Sequence, residues 1–257
     1  MERRNFIKLS TLSSLAISPI KETLEMGFSL NKEAEKDIEK GLIFLFQGDS
    51  ITDGNRGRNN DLNHIMGHGY AYAVASRVGA DFADSAFTFY NRGISGNKIT
   101  DLEKRWQTDS LDLKPDVLSI LVGINDTNAV ARQSGNTTTI EQFESIYRDL
   151  ITKNRLLNPK MLLVLGLPFA FRGTRTDANW AVVVEDLRGR QGIVRKLATE
   201  FNAVLVDYPD LFDKLIKKPS LTYWIWDGVH PTVFGHEMMA RLWIKEVSKR
   251  LKFLKKY

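Results

Sequence analysis

Ser50 has the chemistry of a nucleophile and His230 that of its base. A hydroxyl attacks a carbonyl only when something takes its proton, so a histidine must come within hydrogen-bond reach. The chain has four histidines, and three suit the task poorly. His236 follows Gly235 inside a run of helical period, where capping or packing is its expected role. His64 and His68 stand four apart in a polar, glycine-rich segment with no third ligand, which makes a metal site a poor reading. His230 remains. Asp227, three positions earlier, can accept from its other ring nitrogen, fixing the tautomer and stabilising the imidazolium.

Such a relay also needs donors for the oxyanion that forms on attack. Three are in reach of the same reading: the backbone N–H of Ser50, that of Gly96 in Ile94-Ser95-Gly96, and the side-chain amide of Asn125 in Gly123-Ile124-Asn125-Asp126. Taken singly, Gly96 and Asn125 read as turn residues, and Gly48-Asp49-Ser50 as a capped turn. Taken together and in order they read as one site. Asp49 and Asp126 are assigned to hydrogen bonds that shape these loops.

The elements that must position these residues alternate along the chain. Apolar runs at 42–46, 87–90, 117–122, 161–165 and 204–206 predict five strands, and segments of helical period at 70–78, 140–156, 182–201 and 233–251 lie between or after them. That alternation argues for a parallel sheet with helices on both faces, a three-layer α/β/α sandwich. Sites in such sheets lie at the carboxyl ends of the strands, near the switch in strand order. The stations of Ser50, Gly96 and Asn125 follow the first three strands. Gly48 is read as freeing the backbone for a sharp turn.

Composition sets the bounds. At 257 residues, 43% hydrophobic and 26% charged, the chain has the size and balance of one globular domain. It has no cysteine, which excludes thiol nucleophiles, disulfides and a lipoprotein anchor. The net charge of +5 is spread along the chain, so no nucleic-acid partner is expected. A homo-oligomer is compatible with the sequence. Residues 1–30 are read as an export signal, because Arg3-Arg4-Asn5-Phe6-Ile7-Lys8 resembles the twin-arginine motif and an uncharged, weakly apolar stretch follows. That stretch is too short and serine-rich to span a bilayer. The rival reading is a basic amphipathic helix on a cytoplasmic protein. Residues 31–40 read as a charged linker, and 41–257 as the domain.

Four blocks carry a resemblance to a known family: Gly48 to Gly54, Asn91-Arg92-Gly93-Ile94-Ser95-Gly96-Asn97, Gly123-Ile124-Asn125-Asp126, and Asp227-Gly228-Val229-His230-Pro231. They resemble the SGNH (GDSL-type) hydrolases, and the likeness is closest to a bacterial group that includes acetylxylan esterases. Asp101-Leu102, Arg105-Trp106, Trp226 and Gly235-His236 add to it. The resemblance implies a flavodoxin-like five-stranded sheet, a Ser50–His230–Asp227 triad, oxyanion donors at Ser50, Gly96 and Asn125, and no cofactor. An exported serine esterase removing acetyl groups from carbohydrate is the function it implies. A lysophospholipase or thioesterase could use the same triad, and a glycan-binding module would need none of it. Around the site, Arg56 lies in a polar loop, and Tyr223, Trp224 and Trp226 stand beside the base as candidate substrate contacts. Trp106 is read as either core or site wall. The loop at 55–68 matches no pattern.

Overall fold

The structure, a computed structural model, describes residues 40–257. The expected export segment and nearly all of the charged linker lie outside the described residues. Five strands run parallel: β1 (Ile43–Gly48), β2 (Thr88–Asn91), β3 (Val117–Leu121), β4 (Leu162–Gly166) and β5 (Val204–Val206). Their spatial order is β2-β1-β3-β4-β5, the flavodoxin-like arrangement, with its switch point between β1 and β3.

The helices are α1 (Ser50–Asp53), α2 (Tyr70–Asp81), α3 (Ile99–Trp106), α4 (Ile124–Ala131), α5 (Ile140–Leu157), α6 (Trp180–Glu200), α7 (Tyr208–Leu215), α8 (Leu221–Trp224) and α9 (Val233–Val247). None among the described residues is long and apolar enough to cross a membrane. Side chains alternate across a strand, and β1 uses both faces. Leu45 joins a core with Leu102 of α3, Tyr147 of α5 and Val194 of α6. Phe46 faces the other way, its ring 5.9 Å from that of Tyr70 in α2 and 5.4 Å from that of Trp243 in α9. Burial on both faces is why the strands read as continuous apolar runs.

The predicted strands are all present, with β1, β2 and β4 shifted one or two residues toward the carboxyl end. Ser50 therefore follows β1 almost directly. Gly48 serves another purpose than the one expected. It closes β1, and a Cβ there would sit 2.3 Å from the Leu121 carbonyl oxygen and 2.4 Å from Thr52 Oγ1. Close approach of neighbouring backbone, not a special turn, demands glycine. Trp106 proves to be core: it is 2% exposed, and its indole N–H donates to the Leu150 carbonyl and to Asn154 Oδ1. The last helix ends at Val247, earlier than its apolar pattern.

Candidate active site

Ser50 opens α1, so its backbone N–H has no intrahelical acceptor. Asp49 is the N-cap, its Oδ1 accepting from Ile51 N at 3.0 Å. Burial, reinforced by the nearby Asp126 and Asp53, lifts the Asp49 carboxyl to about 7 against that hydrogen bond. The Ser50 Oγ lies 2.9 Å from His230 Nε2, across 180 residues of sequence. His230 Nδ1 lies 2.7 Å from Asp227 Oδ2.

Asp227 is held from every side. Its Oδ1 accepts from the backbone N–H groups of Val229 (2.9 Å) and His230 (2.7 Å). Arg175 Nε approaches Oδ2 at 2.8 Å, and the Arg175 N–H donates to the Asp227 carbonyl at 3.1 Å. Burial works to raise this carboxyl, but the bonds from the His230 N–H and ring and from Val229 N–H outweigh it and hold it below its ordinary range. Gly228, at φ 92°, lets the chain double back so that both N–H groups reach one oxygen. Thr232 caps α9 just after, accepting from Gly235 N at 3.3 Å.

The oxyanion candidates lie where the next two strands end. Gly96, at φ 83°, is exposed, and a Cβ there would meet nothing within 4 Å. The Asn125 amide spends one hydrogen on the Asn97 carbonyl at 3.2 Å, which leaves the second for a substrate. Asn125, which taken singly reads as a turn residue, lies in the first turn of α4. Polar Asn125, Asp126, Thr127 and Asn128 carry weak helix propensity, so tertiary contacts make this helix.

Those contacts centre on Asp126. It is fully buried and accepts from Ile99 N at 3.2 Å and Thr138 Oγ1 at 3.1 Å. Burial raises it to about 6 against the opposing charge of Arg190, whose Nη1 is 4.0 Å away. Arg190, itself fully buried in α6, also pairs with Asp186 at 2.8 Å and donates to the Thr138 carbonyl at 2.9 Å. Arg190→Met would leave two carboxylates without their cation. Urea unfolding should show a loss of about 3–5 kcal/mol; a loss under about 1 kcal/mol would mean this network does not hold α4.

The remaining expected residues separate into two groups. The Trp226 ring stacks on that of His230, centroids 6.4 Å apart, and stays 58% exposed. Tyr223 instead stacks on Phe234 at 4.7 Å, and Trp224 donates its indole N–H to the Leu215 carbonyl. Arg56 donates from Nε to the Gly93 carbonyl at 2.9 Å, behind the Gly96 turn. His236 caps α2 by accepting from Tyr70 N at 3.1 Å, and burial pushes it down to about 3. His64 bonds Asp61 at 2.7 Å. Sequence reasoning missed Arg175 and Arg190, and it placed Asn91 in a block without giving it a role. Asn91 donates from Nδ2 to the carbonyls of Thr52 (2.7 Å) and Met66 (2.9 Å), tying β2 to α1 and the 55–68 loop.

Fold and site together define a doubly wound α/β enzyme whose polar constellation sits at the switch point of the sheet. The chain belongs to the GDSL-like Lipase/Acylhydrolase family, which it matches over residues 46–238. It is 33% identical to an acetylxylan esterase of Geobacillus stearothermophilus over 82% of this chain and 96% of that one. A solved GDSL-like lipase from Parabacteroides merdae superposes with a TM-score of 0.76 at 35% identity, covering 82% of this chain and 98% of that one. The solved acetylxylan esterase from Geobacillus stearothermophilus gives 0.72 at 30% identity, covering 82% and 95%. The protein is a carboxylic ester hydrolase.

Proposed function

We propose that this esterase removes acetyl groups from carbohydrate through a Ser50 acyl-enzyme. The observation that carries the proposal is the unbroken line Ser50 Oγ–His230 Nε2–Asp227 Oδ2, at 2.9 and 2.7 Å. Ser50 Oγ attacks the ester carbonyl carbon as His230 Nε2 takes its proton. The carbonyl oxygen becomes an oxyanion, met by the Ser50 and Gly96 N–H groups and the free Asn125 amide hydrogen. His230 returns the proton to the departing sugar oxygen, which leaves as a hydroxyl. A water then gives a proton to His230 and attacks the acyl-enzyme; as the acyl C–O bond breaks, His230 passes that proton to Ser50 Oγ, which frees acetate and restores the hydroxyl.

Two features favour a small acyl group on a sugar. The loop after Ser50 is polar, with Arg56 and Arg58 anchored near the Gly96 turn. Trp226 offers an exposed indole face beside the base, suited to a sugar ring. The relative's name, acetylxylan esterase, agrees with both. Acetate release from acetylated xylan, pectin and sialic acid, run beside a p-nitrophenyl ester series, tests the reading. Acetylated sugar should be consumed, and turnover should fall beyond about four acyl carbons. Rising kcat/KM with each added methylene, worth about 0.8 kcal/mol when buried, would instead select a lysophospholipase or thioesterase.

A further inference from the structure

A cavity of about 210 Å³ lies along the outer edge of β2 under the 55–68 loop. Its walls include Arg56, Arg58, Arg92, Asn59, Asn60 and Tyr90. The three guanidinium groups are not equally neutralised. Arg58 clasps both Asp53 oxygens, at 2.6 and 3.1 Å. Arg56 reaches only the carbonyls of Gly93 and Gly57 and pairs with no carboxylate among the described residues. Arg92 Nε stands 3.9 Å from Asp109 Oδ1, while Arg105 holds Asp109 Oδ2 at 2.9 Å. That Arg92 N–H is buried with no hydrogen-bond acceptor among the described residues. The Arg92 guanidinium lies over the Tyr90 ring at 5.5 Å. Burial, helped by the neighbouring Arg58 and Arg92 charges and opposed by Asp53 and Asp109, pushes Arg56 down to about 10.

Holding this many cations together costs free energy unless an anion meets them. The two asparagine amides can serve hydroxyls, and a tyrosine ring offers a flat face. The wall is also joined to the reaction centre, since Asp53 Oδ2 holds Arg58 and accepts from Ser95 N, next to Gly96.

We infer that this cavity is a subsite for the carboxylate of an acidic sugar, so that the enzyme's carbohydrate carries uronic acid. The inference rests on the carbohydrate reading above but concerns binding, not hydrolysis. Calorimetric titration of the full chain with glucuronosyl-xylotriose, plain xylotriose and inorganic phosphate tests it. The acidic oligosaccharide should bind at least about tenfold tighter than the neutral one. The gap should close near 1 M salt, where the screening length is about 3 Å. Arg56→Gln and Arg92→Gln should each lose about tenfold for the acidic ligand. Should either fail to fold, Leu62→Glu sets a carboxylate on the exposed wall and should cause the same loss. Equal binding of acidic and neutral sugars, or indifference to all three substitutions, overturns the inference. Phosphate binding as tightly as the acidic sugar overturns its sugar part. Hydrolysis of p-nitrophenyl acetate, measured in parallel, keeps the two readings separate. An active esterase without the preference loses only the subsite, and an inactive protein with the preference loses only the esterase mechanism.

Discussion

Ser50→Ala should abolish hydrolysis of p-nitrophenyl acetate, lowering kcat by about 10⁶-fold, because nucleophile and base act as a unit. What survives should come from the Gly96 and Asn125 donors acting on water attack. The fold should survive as well. Ser50 is half-buried, and its hydroxyl makes one side-chain hydrogen bond, to His230 Nε2. Removing it leaves that nitrogen on a side chain that is itself part-exposed and can bond water instead, so unfolding free energy should change by no more than about 1 kcal/mol. Circular dichroism melts and turnover, measured on one preparation, give both values. Retention of more than about a hundredth of wild-type turnover would mean another group attacks the ester, and the acyl-enzyme scheme would fail.

The hydrogen-bonded line from Ser50 through His230 to Asp227 was legible because the constraints on such a line are chemical. A serine needs a base, few histidines were present, and Asp227 stands three residues from the best of them. The sheet was legible because strands buried on both faces leave continuous apolar runs. What escaped the sequence depends on tertiary contact. Asn125 lies in a helix with little propensity of its own, made by Asp126 bonding Ile99 N and Thr138. Arg190 reads as a surface charge on an amphipathic helix, yet it is fully buried between Asp126, Asp186 and Thr138. Ile99, Leu102 and Trp106 did carry a helical spacing, and α3 could have been found from it. Nothing local marks Arg175, whose role exists only because the 171–177 loop folds back on Asp227, with Phe171 N donating to the Gly228 carbonyl at 2.7 Å.

The same logic explains why the site's carboxylates divide by task. Asp53 and Asp126 accept backbone N–H groups along the β2–α3 connection, at Ser95 and at Ile99 where α3 begins, and Asp227 accepts from Val229 and His230. Each also has a guanidinium within ion-pair distance: Arg58, Arg190 and Arg175. Of these three only Asp227 also bonds a histidine ring, the one that changes charge in the proposed acyl-enzyme mechanism. Donors aimed before the reaction starts need no reorganisation when the oxyanion forms, which is where such sites gain most.

Asp227→Asn should therefore lower kcat about 10⁴-fold while leaving the backbone where it is. The direction follows from counting donors. If the new amide keeps its oxygen toward Val229 N and His230 N, its NH₂ faces His230 Nδ1 and Arg175. The ring can then bond only by presenting Nδ1 as acceptor, which places the proton on Nε2, where it cannot take one from Ser50. Flipping the amide restores an acceptor to the ring but sets NH₂ against two buried backbone N–H groups, each of which loses its partner at about 1–3 kcal/mol. The first orientation costs less, so the variant should hold the wrong tautomer. Loss of the carboxylate also removes the charge that stabilises the imidazolium, while Arg175 remains 2.8 Å from the vacated oxygen position to disfavour it further. Base strength should fall, and residual kcat/KM should climb with pH as hydroxide does the work the histidine no longer can. Nitrogen-15 spectra of the ring should show the proton moved from Nδ1 to Nε2. A loss below about tenfold, or an unchanged tautomer, would remove Asp227 from the relay and leave Arg175 without a part in tuning it.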